Sequence, residues 1–113
     1  MHQRALVVCL TASVAACTMM AAAKPKAAAG DADKGKAAFA QQCVMCHNAA
    51  NSEKKMGPGL KGLYKKDKLA NGKKPTDATV KARIDEGGGG MPAYKDMLSD
   101  SEKDDLIAYL KSL

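Results

Sequence analysis

Cys43, Cys46 and His47 stand together as Cys-x-x-Cys-His, the one group in this 113-residue chain whose spacing by itself specifies chemistry. Two thiols three residues apart can add to the two vinyl groups on one edge of a porphyrin. The adjacent imidazole then lies under the iron as its proximal ligand. Other uses of the same residues are weaker. A structural zinc site needs four ligands; this group supplies three, and beyond residue 23 the chain has no other Cys or His. A disulfide between Cys43 and Cys46 would close a very short loop and fill no core. A thioredoxin-like redox motif needs a βαβ setting, and no run of this sequence alternates with period two. The motif therefore reads as attachment of one haem c through Cys43 and Cys46, with His47 on the iron.

The composition asks for such a group. Beyond residue 23, Leu, Ile, Val and Phe make up 12 of 90 residues, and Trp is absent. A charged chain with less than roughly 20% of these residues is expected to stay disordered. A domain of ~60 residues already buries only about 60% of its unfolded surface, and small scaffolds usually need a disulfide, a metal or a cofactor as a staple. Either the chain is disordered or something non-protein fills its middle.

The N-terminus sends the domain out of the cytoplasm. Arg4 and the amino terminus precede a 12-residue uncharged, mostly apolar run over residues 5–16, the pattern of an export signal. Ala21-Ala22-Ala23 offers a cleavage site that would release a soluble protein. Val14-Ala15-Ala16-Cys17 resembles a lipobox, with Cys17 as a lipid-bearing first residue. An uncleaved anchor over residues 5–23 is the third possibility, rich in Ala and weakly apolar. The domain plan is thus 1–23 export signal (or a lipoprotein signal ending before Cys17), 24–32 flexible linker, and 33–113 folded domain. From Cys17 the tether would reach ~20 Å as a flexible coil.

Three further stretches follow the motif in order: Gly57-Pro58-Gly59-Leu60, Met91-Pro92-Ala93-Tyr94 and Leu106-Ile107-Ala108-Tyr109-Leu110. With them the chain resembles a class I c-type cytochrome from about Asp31 to Leu113. The resemblance implies an all-α fold, the small cytochrome c fold, with three to five short helices wrapped around one covalently attached haem. It implies Met91 as the sixth iron ligand and the Pro58 carbonyl as the group that ties down the other ring nitrogen of His47. A soft, neutral thioether opposite imidazole raises the reduction potential. Met91 is preferred as ligand because Pro92 stiffens the backbone beside it. Met56, before Gly57-Pro58, is the second candidate, and Met45 and Met97 read as core gap-fillers. Gly87 to Gly90 permit close backbone approach and positive φ, and make the ligand loop easy to open. High pH is expected to displace Met91 in the oxidised protein, with Lys95 as a replacement. No Trp is present to bond a haem propionate, and Tyr64 is a candidate substitute.

The elements that must position these residues are helical. Asp31 or Asp33 can cap a first helix running to about Gln42. Residues 77–86 give a second, with Val80 and Ile84 four apart. Ser99-x-x-Glu102 is a capping-box pattern opening a last helix. There Leu106, Tyr109 and Leu110 share a face, while Asp104, Asp105 and Lys111 look outward. In the resembled family the first and last helices cross where a small residue meets an aromatic one; Gly35 and Phe39 against Leu106 and Tyr109 fit that crossing.

Charge points to partners. The chain carries a formal +6, and +5 without Arg4; two ionised propionates would lower that to about +3. Between Lys54 and Lys74 lie eight Lys and only Asp67, and between Asp96 and Asp105 five acids and only Lys103. Such a dipolar domain can be steered toward a redox protein with an acidic surface. Nucleic acid is a poor partner for an exported chain, membrane contact is confined to the N-terminus, and a monomer is expected. The resulting reading is a one-electron carrier between extracytoplasmic redox partners, iron cycling between Fe(III) and Fe(II), and not an enzyme. The alternatives are a haem-based ligand sensor with a displaceable Met91, or a peroxidase-like enzyme. The latter needs distal acid/base groups, and beyond residue 23 Arg83 is the only Arg.

Overall fold

The Asp31 carboxylate opens the first helix, α1 (Ala32–Gln42), by accepting from the N–H groups of Asp33 at 2.9 Å and Lys34 at 3.3 Å. Asp31 rather than Asp33 is therefore the cap. Asp33 lies in the first turn, where its charge suits the positive end of the helix dipole. The computed structural model describes residues 29–113. The export segment with Cys9 and Cys17, and the first part of the linker, lie outside the described residues.

A single 3-10 turn, Leu63–Lys65, follows the motif loop. The second helix, α2 (Asp77–Glu86), starts from a reciprocal cap between Thr76 and Thr79. A Thr in the place of the usual Glu or Gln hides this cap in the sequence. The last helix, α3 (Asp100–Lys111), opens at the Ser99/Glu102 capping box, as the spacing predicts. Bonds from Ser99 hold the Glu102 carboxyl below the usual range. The described residues form no strand, only an isolated antiparallel bridge between Gly88 and Met91.

The frame is set where α1 crosses α3. A Cβ on Gly35 would overlap the Asp105 carbonyl and stand 2.9 Å from Tyr109 Cβ, so only glycine lets the backbones approach this closely. The Phe39 and Tyr109 rings meet edge to face, 5.6 Å between centroids at 61°. The expected crossing is therefore present.

Two expectations about α3 need correction. Asp104 and Asp105 do not look outward but are half-buried. The Asp104 carboxylate accepts from Lys81 Nζ at 3.0 Å, and that of Asp105 from the Asp31 N–H at 2.6 Å. Each thereby joins α3 to a neighbour. Lys103 is 4% exposed and pairs with Asp85 of α2 at 2.6 Å. A third pair, Lys111–Asp77 at 2.6 Å, completes the α2–α3 contact.

Nine apolar residues are buried among those described, and eight of them line one cavity, Ile107 being the exception. The core is a shell around a space rather than a packed interior.

Candidate functional site

The space has a volume of about 510 Å³, within the range of small-molecule sites. Every element contributes to its wall. The turn after α1 supplies Cys43, Cys46 and His47, the following loop Pro58 and Leu60, α2 Val80 and Ile84, and the next loop Met91. All four residues singled out in the sequence as haem-bearing thus face one cavity, and Pro58 joins them.

The turn holds the motif by backbone bonds. Cys43 N–H donates to Phe39 O at 2.9 Å, continuing α1, and His47 N–H donates to Cys43 O at 2.9 Å. His47 Nδ1 lies 2.8 Å from Pro58 O. A carbonyl only accepts, so Nδ1 carries the proton and Nε2 keeps its lone pair free for a metal. Gly57 presses on the same imidazole: a side chain there would overlap the His47 ring. Gly57 N–H donates to Cys46 O at 2.8 Å, and Leu60 N–H to Asn48 O at 2.7 Å, which closes the loop over the histidine.

Cys43 and Cys46 are not joined to each other. Burial, then the neighbouring Cys46, pushes the Cys43 thiol up to about 11, so it stays protonated at neutral pH.

Met91 enters from the opposite side of the sequence. Gly87, Gly88, Gly89 and Gly90 all have positive φ, between 62° and 106°. These angles fold the chain back so that Gly88 N–H bonds Met91 O at 2.9 Å and Met91 N–H bonds Gly88 O at 3.2 Å. Tyr94 then anchors the loop twice: its N–H donates to Ile84 O at 2.9 Å and its hydroxyl to Gln42 O at 3.0 Å. Lys103 Nζ adds a bond to Lys95 O at 3.1 Å.

Three expectations fall elsewhere. Met45 and Met97 do not fill the core; they are 77% and 62% exposed. Met45 sits between two cysteines that both turn to the cavity, and Met97 precedes Leu98, which takes the inward place in that turn. Tyr64 does not line the cavity. Its ring lies 5.7 Å from Lys111 Nζ, and burial and Asp77 raise its hydroxyl pKa. Met56 does reach the cavity mouth, yet is 75% exposed.

Arg83 also lines the cavity and was not singled out for it. A lone Arg in a short helix gives no pattern. Lys103 could have been found, since it stands three, four and seven residues before Leu106, Ile107 and Leu110, on one helical face.

The donor set fits a haem. Two thiols, an imidazole with a free Nε2 and a thioether line one cavity whose remaining lining is largely apolar. A family model described as cytochrome C oxidase, cbb3-type, subunit III, matches residues 30–110. The chain belongs to the class I c-type cytochromes, which carry one covalently bound haem c and transfer single electrons rather than catalyse a reaction. Among individual proteins it is similar to cytochrome c6 of Synechocystis sp., 42% identical over 74% of this chain and 67% of that one. Cytochrome c6 of Bryopsis maxima is 36% identical over 72% of this chain and 90% of its own. The crystal structure of cytochrome c6 from the diatom Phaeodactylum tricornutum aligns with a TM-score of 0.59 at 28% identity, over 74% of this chain and 93% of that one.

Proposed function

We propose that Cys43 and Cys46 would hold the haem as thioethers, that His47 Nε2 and Met91 Sδ would ligate its iron, and that Pro58 O fixes the His47 tautomer. The observation that carries this is the shared cavity: His47, with Nδ1 already committed to Pro58, and Met91 both line a space walled by the core. When bound, the haem supplies an iron that alternates between Fe(III) and Fe(II). The protein's part would be to ligate that iron through His47 and Met91 and to exclude water with apolar walls. Met91 is a better ligand than Met56, because Met56 adjoins Gly57, which packs on the His47 ring. It therefore stands on the histidine side. A second protein ligand at Met91 and the lack of a second His between residues 24 and 113 would count against a peroxidase or sensor.

The partner is a redox protein, and the docking face is the one around the motif. Val44, Met45 and Met56 are 40%, 77% and 75% exposed there, beside Lys54 and Lys55 of the basic stretch that ends at Lys74. An apolar centre with a basic margin suits a partner with an acidic margin. The carrier works as an extracytoplasmic monomer. No helix among the described residues is long and apolar enough to cross a membrane. Residues 1–23 act as the export signal, or end before a lipidated Cys17, and the mass of the mature protein distinguishes the two.

The test is the optical spectrum and midpoint potential of the matured protein, with Met91→Ala beside it. The expected pigment resists acidic acetone, and the wild type is low-spin with a thioether-to-iron(III) band that Met91→Ala lacks. An extractable pigment, or a band that survives Met91→Ala, would sink the assignment.

A further inference from the structure

We propose that Arg83 is a positioning residue for Met91 and a fixed positive charge that biases the iron toward Fe(II). The inference rests on Met91 as the sixth ligand and goes beyond it by assigning a group that controls it.

The geometry starts at one carbonyl. Gly88 O accepts from Met91 N–H at 3.2 Å and from Arg83 Nη2 at 2.9 Å. A carbonyl has two lone pairs, and both are used here. The loop from Gly87 to Gly90 has no side chains with which to hold its own shape, and every residue in it has positive φ. The guanidinium supplies what the loop lacks. It lies alongside the backbone, so that a Cβ on Gly88 would stand 3.2 Å from Arg83 Nη1 and one on Gly89 3.5 Å from Nη2. Arg83 itself is held on α2, whose last turn also receives the Gly87 N–H at Arg83 O, 2.9 Å away. Helix, guanidinium, Gly88 carbonyl and Met91 backbone thus form a continuous chain of bonds.

The charge follows from the same position. Arg83 is half-buried and lines the cavity with Gly88, Gly89, Gly90 and Met91. The carboxylates of Asp77, Asp85, Asp100 and Asp104 are matched by Lys111, Lys103 and Lys81; none of the ion pairs among the described residues includes Arg83. A guanidinium stays protonated at any ordinary pH. Beside a largely apolar cavity its field is poorly screened. A nearby cation disfavours the more positive oxidation state, so the potential rises.

The test uses the matured holoprotein and three variants: Arg83→Lys, Arg83→Gln and Arg83→Met. Three quantities are read: the thioether-to-iron(III) band, the dissociation constant of imidazole from the ferric protein, and the midpoint potential. Arg83→Gln and Arg83→Met should bind imidazole about tenfold more tightly, the factor expected when one charge-assisted hydrogen bond stops holding the loop closed, and their potentials should fall. Arg83→Lys keeps the charge without the planar fork, so imidazole should bind more tightly while the potential stays near that of the wild type. A wild type without the band removes Met91 as ligand, and the inference with it. A wild type with the band and variants that match it in imidazole affinity and potential leave the Met91 assignment standing and overturn the role of Arg83. Should the neutral variants fail to mature, Arg83→Lys decides: unchanged imidazole affinity overturns the bracing role.

Discussion

Gly57 offers the His47 ring nothing but a hydrogen, and any larger residue would collide with the imidazole. Gly57→Ala should push the ring off Pro58 O, weaken iron ligation and give a ferric spectrum with high-spin character; a fully low-spin spectrum would contradict this. Glu102 makes a pH prediction. Its carboxyl is held below the ordinary value by bonds from Ser99. A depressed folded pKa means a contribution present above the unfolded value of ~4.3 and lost as pH falls through the folded one. Melting temperatures of wild type and Glu102→Gln should therefore differ most at neutral pH and converge in acid. At this scale the sequence was most legible where chemistry fixes both residue type and spacing. Cys43, Cys46 and His47 are of that kind, and the resemblance added Met91 and Pro58, which the cavity brings to the same place. Arg83 was not legible, because its role depends on a carbonyl five residues away in a loop of glycines.

The helices among the described residues followed from periodicity, and the Ser99/Glu102 cap from its pattern, whereas the Thr76 cap was hidden and Asp31 and Asp33 were not told apart; the α1–α3 crossing came from the family resemblance, which Gly35 and Phe39 fit. What periodicity hid was the polar seam between α2 and α3. Asp104 and Lys103 look like surface residues in one dimension, and only the approach of α2 makes them partners of Lys81 and Asp85. The Lys103–Asp85 pair is asymmetric in its consequences. Removing Asp85 leaves the buried Lys103 ammonium only the Lys95 carbonyl at 3.1 Å and the exposed Asp100 carboxylate at 3.9 Å, whereas replacing the buried ion with an apolar chain removes the need for a partner. Asp85→Ala should destabilise by about 3 kcal/mol and Lys103→Met by much less, as read by denaturant unfolding. Equal losses would show that the pair acts by attraction alone.

Viewed as a whole, the domain separates its charges: Lys is concentrated between Lys54 and Lys74, and acids between Asp96 and Asp105. If the basic side meets the partner, the bimolecular electron-transfer rate should fall steeply as salt rises from low ionic strength, because the Debye length shrinks from about 30 Å at 0.01 M to about 10 Å at 0.1 M. A rate indifferent to salt would assign docking to the exposed apolar residues alone.

Because nearly every buried apolar side chain among the described residues borders the cavity, a chain that misses its pigment has no interior to retreat into. Such chains should stay open to proteolysis, so that the amount of carrier follows iron and porphyrin supply as well as transcription. Starving the cell of iron should deplete the polypeptide at constant messenger level, and a protease-deficient host should restore it without colour.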